Sequence, residues 1–546
     1  MNRKIISVFI LLTIWIVATA QQSDTEPIVL IVDRSTYVSG DNILFCTFTN
    51  NDFIDTVPGH DIYVDLTDVN NEWIVGTGTV ARQDSNIASG SLPIPDSLSS
   101  GYYKIRAYTN YPNIDNYYCN REIYVSNRFG NHQPQIMRSQ QNLMQHSISE
   151  NVITVDKNEY KPNAKVNLAF SDKCTNGVLR IISKKQWDEE PEPTIGKCPD
   201  YNIDERFASM LPYNGIIVTG TVTDAESGSP IIDAIVLVSL QDSIVRMKYD
   251  ITDSTGTFCV LLHEYFGAQQ VFVNAFNQQL EPYFNAKITL KNQFGFKVNE
   301  PVNLSETTVK IDSSELNKAV IAKAFDIQQY AIANNIPDRP ALSYDNFVVG
   351  ELRHSVLTSD YISFSNMKEI TREILKFVRI RKNNDVQEMH VVNDKGITNP
   401  NKAFIIVDGI PLTMLDKIMD NGSDKIKKVD TQNSPRHFGN IAFNNGLVMI
   451  WTNKLDFWNK CQVPGTYSFL VQNFQQPVVA SESKSESKDK VPNLKQTIYW
   501  NPNINASSQN SIEIPLSDET GDFVIDFFGI GNDGKYINDF KLINVK

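Results

Sequence analysis

The chain has 546 residues, enough for three to five compact domains of about 100–150 residues each. It carries 50 lysines and arginines against 63 aspartates and glutamates, which gives a formal net charge of −13. The acidic excess is spread along the chain, and no basic stripe with interleaved aromatic residues occurs. This pattern argues against a nucleic-acid-binding protein.

The N-terminus has the pattern of an export signal. Arg3 and Lys4 precede an almost entirely apolar run at 5–17, and Ala18-Thr19-Ala20 gives a small-x-small cleavage pattern. The run is shorter than the ~20 residues of a transmembrane helix, so we expect residues 1–20 to be removed after Ala20. The alternative is an uncleaved N-terminal anchor. The pattern predicts an exported protein, and the family resemblances given below imply a location in the periplasm or at the outer membrane, with membrane association through a partner.

Residues 24–126 are predicted to form a β-sandwich. Tyr103, Ile105 and Ala107 alternate with more polar neighbours, which is typical of a half-buried strand.

The opening of this segment recurs later in the chain. An apolar strand followed by Asp-x-x-x-Tyr occurs at 33–37 and again at 156–160. The repeat predicts a second sandwich of the same kind over 150–212, and residues 285–311 are a candidate segment for completing it.

A third sandwich is predicted over 213–284. Its strands are separated by turn sequences such as T-D-S-T-G-T-F at Thr252–Phe258. Gly256 is expected to take the tight turn that Asp253 sets up.

Helices are predicted after this sandwich. Residues 312–344 are interpreted as a helical connector, with a helix over 312–335. A second helix is predicted over 365–380, where Asn366 caps the N-terminus and Glu369 is the third helical residue.

The second of these helices belongs to a predicted small α/β domain over 345–460. Its strands are the apolar or alternating runs AFIIV, KIKKVD and LVMIWT. Residues 461–493 are interpreted as a linker that is disordered over 481–490, because that stretch is charged and of low complexity. Residues 494–546 return to alternating strands and are predicted to form a C-terminal Ig-like sandwich.

Several of these segments resemble known families. The patterns D-x-x-x-Y-x-x-G-D and S-G-Y-Y-x-I-R-A-Y in 24–126 resemble macroglobulin-type Ig-like domains, and 213–284 resembles the carboxypeptidase regulatory-like sandwich, which is usually non-catalytic. The first resemblance implies that Gly101 turns before the penultimate strand and that Tyr37 packs the edge of the first hairpin. The expected fold is mainly β, with tandem Ig-like or macroglobulin-like β-sandwiches plus a small α/β plug-like domain.

Residues 345–460 resemble the plug domain of TonB-dependent outer-membrane receptors. We expect no barrel after this segment, because 546 − 454 = 92 residues remain after Lys454, and a barrel of ~22 strands of ~10 residues needs more than twice that. Asp408 either is a functional acid or, as an aspartate before glycine, ends a buried strand by bonding its own turn. The whole order resembles large exported proteins of the Bacteroidetes group. The candidate docking residues implied by the plug resemblance are Asp408, Gly409, Pro411, Phe438, Gly439 and Thr452.

The six cysteines of an exported chain permit disulfides. Cys174 with Cys198 is the best candidate pair, and Cys46 with Cys119 is the second. Cys259 is expected to be a buried thiol.

No arrangement of residues suited to catalysis occurs. None of the seven histidines lies in H-E-x-x-H, no G-x-S-x-G or phosphate-binding loop is found, and no cysteine has the C-G-E-Q context of a thioester. The carboxylate pairs Glu189-Glu190 and Asp518-Glu519 are expected to be solvated. We therefore predict a protein that is not an enzyme and that needs no cofactor or metal.

Two functional hypotheses follow. The first is a non-enzymatic accessory or stopper subunit that docks through its plug-like domain onto an outer-membrane β-barrel protein or envelope complex for transport or secretion. The alternative is a macroglobulin-like or adhesin-like surface protein that binds host proteins, proteases or glycans.

Overall fold

The computed structural model divides the chain into two units, each of which is described by itself. Unit 1 contains 1–201, 296–333 and 477–546, and unit 2 contains 202–295 and 334–476. Within the described residues, no helix is long and apolar enough to cross a membrane. The structure describes residues 28–49, 60–81, 86–109, 117–129, 136–139, 143–198, 215–263, 268–291, 304–307, 316–318, 320–321, 330–332, 354–383, 386–472, 474–475, 478–480, 494, 497–506 and 508–546.

Strands make up most of the described chain. They are β1 (Ile28–Val32), β2 (Thr36–Val38), β3 (Asn42–Thr49), β4 (His60–Asp68), β5 (Trp73–Ala81), β6 (Ile87–Pro93), β7 (Gly101–Tyr108), β8 (Tyr117–Ser126), β9 (Ile136–Ser139), β10 (Ile153–Val155), β11 (Glu159–Tyr160), β12 (Lys165–Phe170), β13 (Cys174–Ser183), β14 (Thr194–Lys197), β15 (Gly215–Asp224), β16 (Ile235–Leu240), β17 (Arg246–Ile251), β18 (Thr257–His263), β19 (Ala268–Phe276), β20 (Ala286–Leu290), β21 (Leu304–Thr307), β22 (Tyr330–Ile332), β23 (His354–Leu357), β24 (Val378–Asn383), β25 (Val386–Val391), β26 (Phe404–Val407), β27 (Ile410–Pro411), β28 (Ile426–Gln432), β29 (Arg436–Phe438), β30 (Ile441–Phe443), β31 (Leu447–Thr452), β32 (Thr466–Gln472), β33 (Val478–Ala480), β34 (Tyr499–Asn505), β35 (Ser511–Pro515), β36 (Gly521–Gly531) and β37 (Tyr536–Val545).

Helices are short and few among the described residues. They are α1 (Lys184–Asp188), α2 (Met367–Glu373), α3 (Asp416–Met419) and α4 (Phe457–Lys460), with a 3₁₀ turn at Thr358–Asp360. The mainly β fold expected from the sequence is confirmed.

The first sandwich of unit 1 packs two sheets against each other. One sheet has the order β1-β3-β6, and the other has the order β14-β8-β7-β4-β5, with β2 pairing parallel to β8. All five residues of β1 are buried, because Ile28 and Leu30 face the sandwich core while Val29 and Ile31 face a second sandwich. Burial on both sides explains why this strand is an unbroken apolar run instead of alternating.

The second sandwich has the same strand pairings as the first, in the same chain order. Strands β10, β12 and β35 form the three-stranded sheet, and β37, β36, β13 and β34 form the larger one, with β11 parallel to β37. Each of the eight strands therefore corresponds to one of β1–β8. The chain segment that contains unit 2 runs between the fourth and fifth of these strands, β13 and β34.

The Asp-x-x-x-Tyr repeat makes the same contacts in both sandwiches. Tyr37 Oη donates to Asp33 Oδ1 at 2.8 Å, and Tyr160 Oη donates to Asp156 Oδ1 at 2.6 Å. In each case Oδ1 also accepts the backbone N–H eleven residues further on, at 2.9 and 3.0 Å respectively. The tyrosine hydrogen bond is the main reason why the pKa of Asp156 is lowered. The motif thus fixes the first hairpin of each sandwich.

The structure corrects two of the predicted domain assignments. The segment 494–546 is not a separate sandwich, since β34–β37 supply the second half of the sandwich that starts at β10. The segment 285–311 does not complete that sandwich, because β20 belongs to a sheet of unit 2 and β21 pairs with β9. The predicted pairing partner was the next β-rich segment in sequence, whereas the apolar faces of β10–β13 are matched by strands more than 300 residues later.

Unit 2 begins with a third sandwich, whose sheets are β18-β15-β20 and β17-β16-β19-β32. Gly256 takes a turn at φ +73°, and its N–H donates to Asp253 O at 2.9 Å, as expected. The structure corrects the predicted linker at 461–493, because Thr466–Gln472 forms β32. Its alternating apolar residues pack on the sandwich core, which a linker would leave exposed.

The rest of unit 2 is a small α/β body. Its sheet has the order β23-β28-β31-β26-β27, with β26 parallel to β31. The hairpin β24–β25 and the helices α2 and α3 contribute to the same apolar core.

The two helix predictions meet different outcomes. Asn366 caps α2 by accepting the Glu369 N–H at 2.9 Å, as predicted, but the helix ends at Glu373. From Val378 onward the chain pairs with β25 as the strand β24, which replaces the predicted end of the helix. Of the predicted 312–335 helix, 316–318 and 320–321 are helical, 330–332 is a strand, and the rest lies outside the described residues.

Candidate functional site

The predicted plug-like motif centres on Asp408, a fully buried residue with φ +47° at the end of β26. Its Oδ1 accepts the Thr452 N–H at 2.7 Å, and its Oδ2 accepts the Thr452 hydroxyl at 2.7 Å and the Phe457 N–H at 3.3 Å. Burial raises the pKa of Asp408, and the hydrogen bonds from Thr452 oppose that rise. The carboxylate therefore links β26 by hydrogen bonds to the end of β31 and to the start of α4.

Gly409 continues the turn, and its surroundings explain why glycine is needed there. It has φ +85°, and a Cβ would lie 2.9 Å from the Leu240 carbonyl oxygen of the third sandwich. Asp242 N–H donates to the Asp408 carbonyl at 3.3 Å in the same place. Pro411 is buried in β27, where it pairs with β26. This end of the α/β body thus rests on the third sandwich.

Phe438 and Gly439 lie apart from Asp408, in the small hairpin β29–β30. Phe438 is buried and meets the Tyr249 ring edge-on, at 5.0 Å between ring centroids. Gly439 has φ +56°, and a Cβ would lie 2.0 Å from Tyr249 Oη, which accepts the Asn440 N–H at 2.8 Å. Both residues therefore pack against β17 of the third sandwich.

The six candidate residues are thus used inside unit 2. Asp408, Gly409 and Pro411 belong to one turn, to which Thr452 is hydrogen-bonded, and the other two form a second contact at the β29–β30 hairpin. Both contacts face the third sandwich. The third sandwich of the chain itself covers Gly409, Phe438 and Gly439, and docking of a partner through the six residues stays a prediction.

The candidate disulfides are absent, since all of these cysteines are thiols. Cys174 lies in the core of the second sandwich, whereas Cys198 lies beside Arg106 of the first. Cys46 is on the outer side of its sheet and Cys119 points into the core, so strand alternation separates that pair. Burial raises the pKa of Cys174 to about 11 and that of Cys198 to about 12.

A pair of buried ion pairs, which sequence reasoning missed, occupies equivalent places in the two sandwiches. Arg106 on β7 makes a bidentate contact with Asp65 on β4, both distances being 2.7 Å. In the second sandwich the charges are exchanged, because Arg180 is on β13 and Asp526 is on β36, with Nε and Oδ2 2.7 Å apart. Each pair consists of residues directly opposite in register. In the sequence, these pairs are indicated by an arginine or an aspartate within an otherwise apolar strand.

Arg180 also belongs to a buried network with Glu190. Arg180 Nη2 donates to Glu190 Oε2 at 2.7 Å, and Arg121 Nη1 donates to Glu190 Oε1 at 2.7 Å. Glu190 is 3% exposed, so the prediction that it is solvated is wrong, while Glu189 beside it is exposed. The two arginines, from two different sandwiches, share one carboxylate.

The same arginines reach β1. Arg121 Nε donates to the Leu30 carbonyl at 2.5 Å, and Arg180 Nη1 donates to the Val32 carbonyl at 2.7 Å. Because Arg180 belongs to the second sandwich and β1 to the first, these bonds fasten the two sandwiches of unit 1 together.

Burial and charge act in opposite directions on the two carboxylates. Burial alone would raise the pKa of Glu190, but Arg180 and Arg121 outweigh it and lower that pKa. For Asp526, burial prevails over Arg180, and the pKa is raised. His146 stacks on Trp187 next to the network, with ring centroids 3.6 Å apart.

A second polar contact joins the sandwiches at the start of β34. Arg34 donates to Asp41 Oδ2 at 2.8 Å and to Thr497 Oγ1 at 3.3 Å. The Thr497 hydroxyl donates to Asp33 Oδ2 at 2.5 Å. Arg34, Thr497 and Asp33 thus form a second buried polar link between the two sandwiches of unit 1.

Within the ranges that the structure describes, no three His, Cys, Asp or Glu side chains stand together in a way that would hold a metal ion. The absence of an enzyme site and of a cofactor stays a prediction.

Comparison with known proteins gives no family. No protein-family model and no curated protein matches the chain. Among solved structures, native alpha-2-macroglobulin of Escherichia coli is similar at TM-score 0.24 and 9% identity, over 96% of this chain and 40% of that chain. The Yersinia pseudotuberculosis adhesin InvE is similar at TM-score 0.13 and 10% identity, over 66% of this chain and 73% of that chain.

The chain spans less than half the length of the E. coli alpha-2-macroglobulin that it matches. Similarity this weak carries no argument about function, which has to come from the residues themselves. The Bacteroidetes and plug-like resemblances stay predictions.

Proposed function

We propose that this chain is a non-enzymatic, exported binding protein of the macroglobulin-like or adhesin-like kind. Its β-sandwiches would act as a rigid support that presents surfaces to other proteins. The observation that carries this proposal is the network of Arg121, Arg180, Glu190 and Asp526 at the junction of the two sandwiches of unit 1.

Such a junction suits a support rather than a reaction centre. Both arginines bond backbone carbonyls of β1 as well as carboxylates, so their donors are committed to structure. Separating the sandwiches would break the hydrogen bond from Arg180 to the Val32 carbonyl and part Arg121 from Arg180, so Glu190 could keep only one of its two arginine partners. The junction therefore resists bending between the sandwiches, which suits a binding protein that has to hold its surfaces in a fixed arrangement.

The location part of this proposal is tested by protease treatment of intact cells that produce the chain. We expect added protease to cut the protein without cell lysis, while a periplasmic control protein stays whole. Protection equal to that of the periplasmic control would contradict a surface location.

A plug-like accessory subunit is the second candidate function. The mixed sheet around Asp408 favours it, because strands and turn occur in the predicted order. The docking surface would have to differ from the predicted one, since Gly409, Phe438 and Gly439 pack on the third sandwich. Tyr361 and Ile362, which are 50% and 80% exposed just after β23, are the apolar residues best placed for such a contact.

This candidate predicts a stoichiometric β-barrel protein in gentle detergent extracts of the envelope, pulled down with the full chain. The double substitution of Tyr361 and Ile362 by serine should abolish that association. Its persistence in the double variant, or the absence of any barrel protein, would rule the candidate out.

A further inference from the structure

The two edges of one sheet in the third sandwich differ in their chemistry. At one edge, β17 carries the charged residues Arg246, Lys248 and Asp250. At the other edge, β32 has the sequence T-Y-S-F-L-V-Q, without a charge or a proline, and its register with β19 is continuous over seven residues. Among the residues that the structure describes, no strand pairs with the outer edge of β32.

The side chains of β32 divide between two faces. Tyr467, Phe469 and Val471 pack on the sandwich core. Ser468 and Leu470 point away from it, and Leu470 is 76% exposed. Gln270 on the neighbouring strand donates to Ser468 Oγ at 2.7 Å, which holds this face in place. Among the described residues, this edge is thus uncharged and has no strand paired with it.

Open edges present unpaired backbone groups, and proteins usually protect them with charges, prolines or bulges. Strand β17 has charges, and β32 has none of these devices. An edge that lacks protection is suited to pairing with a strand from another chain, because main-chain hydrogen bonds supply the affinity.

We propose that β32 pairs antiparallel with β32 of a second copy of this chain, around a two-fold axis that places Leu470 opposite its copy. A charged strand that paired with this edge would lose the hydration of its charges and gain no ion pair in return. The edge therefore favours an uncharged partner strand. Strand β32 is itself such a strand, and pairing it with its copy sets no like charges opposite each other. This two-fold arrangement also buries Leu470, the most exposed apolar side chain of β32.

A C2 contact of this kind is self-complementary and closes at two copies, so it predicts a dimer rather than a fibre. The inference does not rest on the proposed function, because the purified chain alone tests it.

The first test is sedimentation velocity of the full chain over a concentration series. We expect a monomer–dimer equilibrium that Leu470→Lys weakens by at least about tenfold in Kd, since two lysines would then face each other. The matched control is Leu542→Lys, another exposed strand leucine, which is 50% exposed and should leave the equilibrium unchanged. A wild-type chain that stays monomeric, or a dimer that Leu470→Lys does not weaken, would overturn the proposal.

The second test does not depend on how the lysine variant folds. Leu470→Cys should form a disulfide-linked dimer under mild oxidation, because Cβ atoms of directly opposite residues lie about 4.5–5.5 Å apart. Leu542→Cys is the control and should not exceed the wild-type background. Equal yields from the two variants would contradict the proposed register.

Discussion

Arg106 and Arg180 show how a charge is kept inside a strand of this chain. Each lies directly opposite an aspartate in register, Asp65 and Asp526 respectively, and each bonds it at 2.7 Å. The exchange of charges between the two sandwiches indicates that the position requires a pair and not a particular residue. A buried charge without such a partner would cost several kcal/mol.

The adjacent residues Glu189 and Glu190 allow a direct test of the network. Glu190→Ala should lower the free energy of unfolding of unit 1 by about 3–5 kcal/mol, because it leaves Arg121 and Arg180 buried without their shared carboxylate. Glu189→Ala removes an exposed carboxylate and should change it by less than about 0.5 kcal/mol. Hydrogen exchange of the β1 amides in the full chain provides the measurement. Equal effects of the two substitutions would contradict the account.

The network also predicts an acid-dependent loss of stability. The pKa of Glu190 is lowered in the folded state, so its contribution is present above the unfolded value of about 4.3 and is lost as pH falls below it. Asp526 has a raised pKa and therefore acts with the opposite sign, gaining stability as pH falls. Comparison of Tm between pH 3 and pH 7 should show a steeper acid decline for the wild type than for Glu190→Gln. Parallel curves would contradict the assignment.

The sequence predicts the turn at Asp408-Gly409 but not the burial of Glu190, and the difference has a physical reason. The turn at Asp408-Gly409 is local, and residue types alone indicate it. Glu190 follows another glutamate in a polar segment, which is typical of a solvated pair. Its partners lie 10 and 69 residues away, and no local pattern reports on them.

At the scale of elements, the α/β body is held on the third sandwich by two glycine turns. Gly439 leaves room for the Tyr249 hydroxyl, and Gly409 leaves room for the Leu240 carbonyl. The plug-like motif is therefore a structural joint within unit 2.

This joint can be tested by alanine substitution at two glycines of similar backbone conformation. Gly396 has φ +76°, and an added Cβ would meet no atom within 4 Å, so Gly396→Ala should cost about 1 kcal/mol of backbone strain. Gly439→Ala should cost about 2–3 kcal/mol more, because the tyrosine must move and lose the bond from Asn440 N–H. Denaturant unfolding of the full chain measures both. Equal costs would show that Gly439 does not support the joint.

Strand predictions succeeded where alternation was clear and failed where composition was misleading. The alternation of Tyr103, Ile105 and Ala107 with more polar neighbours predicts a strand, and β7 contains all three residues. Strand β32 was hidden in a predicted linker, although Tyr467, Phe469 and Val471 alternate with polar or exposed residues. The charged stretch at 481–490 is typical of a linker, and it masks the strand signal in the first part of 461–493.

At the scale of the whole molecule, unit 1 contains two sandwiches that share a core of eight strands with the same topology, to which the first adds β14, and the second is divided in sequence. A second sequence repeat indicates that the strands near the C-terminus belong to the same kind of sandwich as the first. The pattern I-P-x-S-x-x-x-G occurs at Ile94–Gly101 and again at Ile514–Gly521, in each case just before the seventh strand. Sequence reasoning found the repeat at the start of each sandwich but not this one, and so treated the last four strands as a new domain.

The divided sandwich has a consequence for folding. Strands β10–β13 can complete their sheets only after β34–β37 have been synthesised, more than 300 residues later. Contacts between segments so far apart in sequence are slow to form. During synthesis, β10–β13 would expose their apolar faces for longer than β1–β8 expose theirs.

The most direct test of this architecture is hydrogen exchange in a chain that ends at residue 496. The account predicts that the amides of β10, β12 and β13 lose protection, because every strand that closes their sandwich is missing. The amides of β15, β16 and β19 in the third sandwich should keep theirs and serve as the internal control. Full protection of β10–β13 in the shortened chain would contradict the claim that residues 150–183 and 497–546 form one domain.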